Sequence, residues 1–416
     1  MSKIFLFLLV FLSSLSAFSA EAELVSFVDP STQTVKEACH LPQLSYDGRF
    51  VVYESWLPGA EAENDFSRGV KLVDRSAHTS QIITRDGSSG FGGYPFISSN
   101  GRELATVSYS TTTANGFLAQ LAEQKKRWGK TIRYPRIADV YVAHVKTMES
   151  VLMTRGMNGE PHDGEALTPR LSRDGRYVLF TSNATNLLPA KMKPLRQVYL
   201  LDRVKNTLEL ISQSPEGIPA NRPCAEPLMS QNARFIAFKS AATNLVKGLP
   251  ERVIEYHLYL LDRKLKVLIR VDDRVKGFPE SWEAGRVALD DAGETMVFEG
   301  VRQSSAPDQE PFDRSDLFLF NREEGTLAQL TQGVYEQKSF SPALSGDGRF
   351  VAFVFVSTGS TSSSEGLTVY DQISKRWELA VAGAVSNPVF SGDGSVIAYE
   401  SGEPSNIYVV KNPLKK

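Results

Sequence analysis

The sequence is poor in cysteine, histidine and tryptophan, with two, five and four of these residues among 416. The five histidines are scattered, and none has the close spacing of a metal-ligand motif. No Gly-x-Ser-x-Gly, phosphate-loop or dinucleotide-binding motif occurs either. These absences remove the common catalytic routes, and no cofactor is expected.

An excess of either charge is also missing. Lys and Arg number 46 against 48 Asp and Glu, which gives a net charge of -2. A chain this balanced is not built as a whole to bind polyanions, so no nucleic-acid partner is expected. After the first twenty residues no apolar run is long enough to span a membrane. The mature chain is therefore expected to have no transmembrane segment.

The N-terminal segment has the features of a secretory signal peptide. Lys3 precedes the short apolar run IFLFLLVFLSSLSAF, and small residues follow it. Cleavage is expected after Ser19 or Ala22, and no cysteine stands at the junction to carry a lipid. We expect residues 1–22 to be removed and the mature protein to be exported, either periplasmic or secreted.

One phrase recurs seven times along the chain. It reads apolar–Ser–x–Asp/Asn–Gly–Arg and continues into an alternating apolar run, as in LSYDGRFVVYES at residues 44–55. The mean spacing is about 58 residues, longer than the common propeller repeats. The phrase is anchored at Ser45, Ser98, Ser172, Ser230, Asp290, Ser345 and Ser391.

Each copy predicts four antiparallel strands. Ser-x-Asp-Gly is a tight turn, because Ser or Asp bonds backbone N–H groups and Gly takes positive φ at little cost. Period-two apolar runs follow it. Seven such units predict an all-β fold, a seven-bladed β-propeller over residues 23–416. The last copy ends after its third strand, so residues 23–29 (ELVSFVD) are expected to supply the fourth and to close the ring.

The repeat resembles that of the TolB-type propeller family, with its WD-like repeats. The resemblance rests on the Ser-x-Asp-Gly-Arg phrase, on TSNATNL and KSAATNL at residues 181–187 and 239–245, and on strand ends such as VYLLDR. The fifth copy departs from it with LDDAGE, and the fourth has Ala233 in place of glycine. The resemblance implies a fold but no single function, since such propellers bind, scaffold or catalyse. We do not expect this chain to carry the α/β domain that precedes the TolB propeller, so the resemblance does not imply the role of TolB in the cell envelope.

The predicted blades have two faces. The Asp-Gly turns and the turns between third and fourth strands form the turn face, where Arg and Asp recur from blade to blade. Because repetition in every blade is typical of a structural role, we expect these residues to bond the turns and to pair charges between blades. They are Arg49, Arg102, Arg176, Arg234 and Arg349, with Asp74, Asp202, Asp262 and Asp371.

The opposite, loop face varies between blades, and binding is expected there. Its longest insertion, residues 109–137, is basic, and aromatic residues occur in its other loops. These features suit an acidic partner and a sugar or peptide, respectively. The alternatives are a lid helix with a solvated charged face and aromatics that anchor loops. The candidates are Trp56, Phe91, Tyr94, Lys125, Lys126, Arg127, Trp128, Lys130 and Trp282.

Two further sets belong to the loop face. Cys39 and Cys224 stand six residues before their anchors in blades 1 and 4. An exported pair invites a disulfide, but the channel is expected to separate them. The other set is His40, His162 and His257, which give weak support to a metal site at the channel mouth.

These features favour an exported, non-catalytic binding or scaffold protein of the cell envelope, with a protein or glycan partner of acidic character. The alternative is a metal-dependent polysaccharide lyase or hydrolase that uses the three histidines. Some pectate-fragment lyases hold a metal with histidines at the centre of a seven-bladed propeller, a likeness at the level of the fold.

Overall fold

The computed structural model describes residues 22–26, 38–56, 68–83, 92–110, 137–189, 192–248, 256–272, 282–302, 314–331, 337–358 and 363–416. They form seven four-stranded antiparallel sheets, which are the blades of a β-propeller, as the sequence predicts. One short 3₁₀ turn is present at Met157–Gly159. None of the described segments forms a helix long and apolar enough to cross a membrane. The signal-peptide prediction concerns residues outside these ranges, except for residue 22.

In blades 1–4 four consecutive strands lie side by side in chain order. Blade 1 contains β2 (Ala38–Leu44), β3 (Phe50–Trp56), β4 (Arg68–Asp74) and β5 (Thr79–Ile83). Blade 2 contains β6 (Gly93–Ile97), β7 (Glu103–Ser110), β8 (Ile137–His144) and β9 (Ser150–Leu152). Blade 3 contains β10 (Ala166–Leu171), β11 (Tyr177–Ser182), β12 (Gln197–Asp202) and β13 (Thr207–Leu210). Blade 4 contains β14 (Cys224–Met229), β15 (Phe235–Ser240), β16 (His257–Asp262) and β17 (Val267–Arg270).

Blades 5 and 6 follow the same order, whereas blade 7 takes its fourth strand from the N-terminus. Blade 5 contains β18 (Trp282–Leu289), β19 (Thr295–Arg302), β20 (Arg314–Asn321) and β21 (Thr326–Gln329). Blade 6 contains β22 (Gln337–Leu344), β23 (Phe350–Thr358), β24 (Ser363–Asp371) and β25 (Arg376–Ala382). Blade 7 contains β26 (Ser386–Phe390), β27 (Val396–Ser401), β28 (Asn406–Lys411) and β1 (Glu23–Leu24).

The turn of each repeat is held by side chains. The Ser45 hydroxyl donates to Asp47 Oδ1 at 2.7 Å and accepts the N–H of Phe50 at 3.0 Å. The same Asp47 oxygen accepts the N–H of Arg49 at 3.0 Å. Gly48 completes the turn with a φ of +67°, which a residue without Cβ adopts readily. The turn therefore depends on the residue types that the repeat preserves.

The two departures from the repeat keep this turn. Ala233 takes the glycine position with a φ of +56°, a left-handed conformation that is unfavourable for a residue with a Cβ. In blade 5 Asp290 replaces the anchor serine, and its two carboxylate oxygens accept the N–H groups of Glu294 and Thr295 at 2.8 and 3.0 Å. Neither departure interrupts the ring.

The innermost strands form a closed ring, and each contacts the innermost strands of both neighbouring blades. At the turn face seven backbone hydrogen bonds of 2.8–3.3 Å join each blade to the next in one direction. They tie the residues after the repeat anchors together at this end of the channel. The donors and acceptors are, in order, Tyr46 and Ser99, Asn100 and Arg173, Arg173 and Gln231, Gln231 and Asp291, Asp291 and Gly346, Gly346 and Gly392, and Asp393 and Tyr46.

The N-terminal strand closes the ring, which confirms the prediction. Strand β1 pairs antiparallel with β28, and the N–H of Val25 continues the ladder to the carbonyl of Ile407 at 2.8 Å. The Val25 side chain is buried in the core between blades 7 and 1. Glu23 also pairs with Arg75 of blade 1 at 2.5 Å. Residues 27–29 of the predicted strand lie outside the described residues.

The recurring Arg–Asp pairs form within blades, so the expected pairing of these residues between blades is wrong. Arg176 pairs with Asp202 at 2.7 Å because the two residues end the adjacent second and third strands of blade 3. Between blades, glutamates are the partners instead, as in Arg203–Glu103 at 3.2 Å. The equivalent pairs within blades are Arg49–Asp74, Arg234–Asp262 and Arg349–Asp371.

The two cysteines are buried and form no disulfide, in agreement with the expected separation across the channel. Cys39 lies in β2 of blade 1 and Cys224 in β14 of blade 4. Burial raises the pKa of the Cys224 thiol to about 11, so the protonated thiol is the form present at neutral pH.

We expect deletion of residues 23–26 from the mature protein to destabilise the fold. The deletion exposes the β28 edge and removes the buried Val25 side chain, worth about 2 kcal/mol. Thermal unfolding should show a lower Tm, and light scattering should show more aggregation, than for the chain that begins at residue 23. Equal unfolding curves for the two proteins would contradict ring closure by β1.

We also expect stability to fall as the pH drops below about 4, the ordinary range of carboxyl pKa values. Hydrogen bonds from Arg176 and Arg349 hold the pKa values of Asp202 and Asp371 well below that range. A carboxylate with a lowered folded-state pKa stabilises the fold above its unfolded-state pKa, and the contribution is lost as pH falls toward the folded-state value. The Asp202→Asn/Asp371→Asn variant should therefore lose less Tm between pH 6 and pH 2.5 than the parent protein. Parallel Tm curves would contradict this assignment.

Candidate functional site at the channel mouth

Every innermost strand carries a bulge before its repeat turn. At the bulge the pairing between the innermost and second strands shifts, because the innermost strand has more residues there than the second strand that it pairs with. In six blades the residue four places before the anchor has a φ between +47° and +54° although it has a Cβ, which is unfavourable. These residues are Leu41, Tyr94, Thr168, Glu226, Ser341 and Asn387.

Bulge residues of two blades that are not adjacent come into contact. Arg286 of blade 5 occupies the same position, four residues before its anchor, and its Nη1 donates to Asn387 Oδ1 of blade 7. Only blade 6 lies between blades 5 and 7, so this contact passes in front of the innermost strand of blade 6. Because each innermost strand runs from the loop face toward the turn face, the bulges lie partway along these strands, on the loop-face side of the ring of turns.

The Arg286–Asn387 contact belongs to a larger polar network. Asn387 Nδ2 donates to Glu400 Oε1 at 2.7 Å, and the N–H of Leu41 in blade 1 donates to the same oxygen at 2.7 Å. His40 Nδ1 lies 3.3 Å from Glu400 Oε2. Burial opposes ionisation of Glu400, but these hydrogen bonds outweigh it and lower the pKa of this carboxyl. A buried carboxylate therefore fixes Asn387, the acceptor for Arg286.

A second arginine lies deeper in the channel. Arg170 of blade 3 stands two residues before its anchor and is half-buried, with its guanidinium 5.1 Å from the centre of the Phe96 ring. Burial lowers the pKa of Arg170 to about 10, and the charge of Glu226 partly offsets this effect. Glu226 itself pairs with Lys239 at 2.7 Å. The channel thus carries Arg170 and Arg286 at different depths.

The three predicted histidines contribute to separate structural contacts. His162 Nε2 lies 2.7 Å from Asp139 Oδ1, and His257 Nδ1 lies 2.5 Å from Asp272 Oδ2. Asp272 also accepts the N–H of Leu258 in the third strand of blade 4. In blades 2, 3 and 5 the hydroxyl of a serine or threonine accepts the equivalent N–H, so Asp272 takes the place of that residue. Throughout the ranges that the structure describes, no group of three His, Cys, Asp or Glu side chains could hold a metal ion.

The structure places only part of the predicted loop-face set. Tyr94 occupies the bulge of blade 2, and its N–H donates to the buried Glu54 carboxylate of blade 1 at 2.5 Å. Trp56 ends β3 and Trp282 begins β18, both at the loop face, but their side chains lie outside the described set. Phe91 and the basic insertion residues Lys125, Lys126, Arg127, Trp128 and Lys130 also lie outside it.

Sequence reasoning missed the residues that the channel brings together. Arg170, Arg286, Glu226 and Asn387 follow no local motif. The sequence could nevertheless have identified them. They lie two or four residues before their anchors, and an alignment of the seven copies at these positions brings them out. At those positions charged residues stand beside alanine, valine and leucine in the other copies.

No family model and no curated protein matches this chain. Among solved structures, an oligogalacturonate lyase in complex with manganese aligns with a TM-score of 0.58 and 13% identity over 95% of this chain and 98% of that chain. The β-propeller domain of the Trilobed protease from Pyrococcus furiosus aligns with a TM-score of 0.56 and 12% identity over 91% and 94%. TolB from Acinetobacter baumannii reaches 0.40 at 12% identity over 88% and 81%, too low to support an argument. These likenesses show the propeller fold alone.

We expect replacement of Glu400 to destabilise the junction of blades 7 and 1. Glu400→Leu leaves the Leu41 N–H and the Asn387 amide without their acceptor, and each unsatisfied group costs about 1–3 kcal/mol. Glu400→Gln keeps one oxygen for these donors and should lose less. Urea unfolding of both variants tests this order, and equal losses would contradict the role of Glu400 as their acceptor.

Proposed function

We propose that this chain is an exported, non-catalytic binding protein that receives a protein or glycan partner at the loop-face mouth of its channel. The observation that supports the proposal is the contact between Arg286 of blade 5 and Asn387 of blade 7, with Asn387 held in turn by the buried Glu400. Arg286 remains exposed to solvent. An exposed cation on a fixed polar support is suited to recognition.

The charges in the channel favour a partner that presents a carboxylate. A guanidinium donates paired N–H groups in a planar fork that matches a carboxylate. Arg286 offers such a group at the mouth, and Arg170 offers a second one deeper in, where less water competes with a ligand. The turn-face mouth is less accessible, because Arg173 of blade 3 lies 5.5 Å from the ring of Tyr46 in blade 1. The partner therefore enters from the loop face.

The basic insertion and the loop aromatics belong to the same proposal. Residues 109–137 leave and rejoin the propeller between the second and third strands of blade 2, on the loop face. Their positive charge would attract the same acidic partner toward the mouth over a distance of about 8 Å at physiological ionic strength. Secretion through the N-terminal segment would place the protein in the periplasm or outside the cell.

The alternative function is a metal-dependent polysaccharide lyase or hydrolase. The likeness to a manganese-bound oligogalacturonate lyase motivates it, at the level of the fold. It would require His40, His162 and His257 to act together, whereas each contacts a carboxylate of its own. Metal analysis of the purified mature protein separates the two functions. One equivalent of manganese, lost in a His162→Ala variant that still folds, would favour the lyase.

Trigalacturonate is a suitable probe of the channel, with neutral maltotriose as its control. Calorimetry with the mature protein should show saturable binding of trigalacturonate and a weaker response to maltotriose. The Arg286→Gln/Arg170→Gln variant should bind the acidic sugar about tenfold more weakly or worse, since each charged hydrogen bond is worth about 1.5–3 kcal/mol.

Arg263→Gln is the matched control, because this arginine pairs with Glu209 near the outer edge of the propeller. It should leave binding unchanged. Equal affinity of the channel variant and the parent protein would overturn a carboxylate site in the channel.

A further inference from the structure

One blade keeps the arginine that recurs on the turn face but lacks the aspartate that pairs with it in other blades. In blades 1, 3, 4 and 6 an arginine four residues after the anchor pairs with an aspartate at the end of the third strand. The same guanidinium lies 4.6–4.9 Å from the centre of the aromatic ring that follows it in the chain. Each of these arginines therefore has both a carboxylate and an aromatic partner.

Arg102 holds this position in blade 2 and has neither partner among the described residues. His144 replaces the aspartate in the same register, opposite Glu103, just as Asp74 lies opposite Phe50 in blade 1. Glu103 replaces the aromatic residue, and its carboxylate pairs with Arg203 of blade 3 at 3.2 Å and not with Arg102. Among the described residues the Arg102 side chain has no carboxylate partner, and it is exposed.

A cleft of about 610 Å³ between blades 1 and 2 contains this arginine. Arg102, His144 and Lys146 line its blade 2 side. The blade 1 side presents the ion pair of Arg49 and Asp74, together with polar groups of the outer strand β5. The cleft thus contains the charged side chains of Arg49, Arg102 and Lys146 and a single carboxylate, Asp74. Because Arg49 already pairs with Asp74, the positive charges of Arg102 and Lys146 are not compensated within the cleft.

We propose that this cleft binds the carboxylate side chain of an acidic peptide segment, which takes the place of the aspartate that blade 2 lacks. The four intact blades show what this arginine position accepts: a carboxylate bound through Nε and Nη2, at 3.0 and 2.7 Å in blade 3. In blade 2 the planar fork of Arg102 is left for an external carboxylate, with the ammonium group of Lys146 in the same cleft.

An aspartate-rich peptide fits better than another anion for two reasons. The group it replaces is itself an aspartate side chain at a strand end. The cleft also has the volume of a ligand pocket and is bordered by β5, the outermost strand of blade 1, where an extended peptide can lie along the sheet edge. The site is on the face opposite the channel mouth, so it is independent of the function proposed above.

The test is a titration of the mature protein with the tetrapeptide Ac-Asp-Asp-Asp-Asp-NH2 at low salt, followed by calorimetry. We expect saturable binding, and Arg102→Gln should lower the affinity about tenfold or more. His144→Asp should lower it similarly while leaving the Tm unchanged or higher, because the new aspartate restores the pair found in the other blades. This second variant distinguishes loss of the site from loss of the fold.

Two controls make the result specific. Arg176→Gln removes an arginine that already has its aspartate in blade 3, and it should leave peptide binding unchanged. Arg234→Gln removes the equivalent arginine of blade 4, which pairs with Asp262, and should also leave peptide binding unchanged. Equal peptide affinity of Arg102→Gln and the parent protein, or absence of saturable peptide binding by the parent, would overturn the proposal. The proposal would also be overturned if the parent protein bound trigalacturonate but not the peptide, and if Arg102→Gln abolished that binding.

Discussion

The fold depends on the junction of seven tight turns at one end of the channel. Each turn is formed by its own Ser or Asp side chain and is joined to the next blade by a backbone hydrogen bond, so that the ring closes on itself. This junction requires close approach. The Tyr46 ring lies against Gly392 with no room for a Cβ. The ring of turns thus fixes the inner strands at the turn face.

On the loop-face side of this ring the innermost strands bulge. Left-handed backbone at Leu41, Tyr94 and Asn387 is unfavourable in isolation. Leu41 and Tyr94 compensate by donating their N–H groups to carboxylates of neighbouring blades, and Asn387 by donating its side-chain amide to Glu400 of its own blade. Polar side chains here hold the structure together and, in the proposed function, would also recognise the partner. Glu400 holds blade 1 against blade 7 and also positions Asn387, which accepts from Arg286. A site built in this way is rigid before any partner arrives, which lowers the entropic cost of binding.

Functional candidates in a repeat protein emerge where one copy departs from the others. The departures at Ala233 and Asp290 keep the turn and have no visible effect on the ring. The departure at His144 removes a carboxylate and leaves Arg102 without a charge partner in the described part of the chain. The difference is physical: a backbone turn can be formed by several residue types, whereas an arginine without a carboxylate presents its charge to whatever enters the cleft.

The sequence by itself determined the blade count, the four-strand order, the turn chemistry and the closing strand, since each follows from short-range patterns that repeat seven times. Its expectations about charge pairing between blades were wrong because sequence order does not show which strand ends are adjacent in a sheet. Only the tertiary structure decided that Arg286 meets Asn387, 101 residues away, and that each histidine has its own carboxylate. Such contacts depend on how closed blades place their inner strands around a channel, and no local spacing encodes that distance.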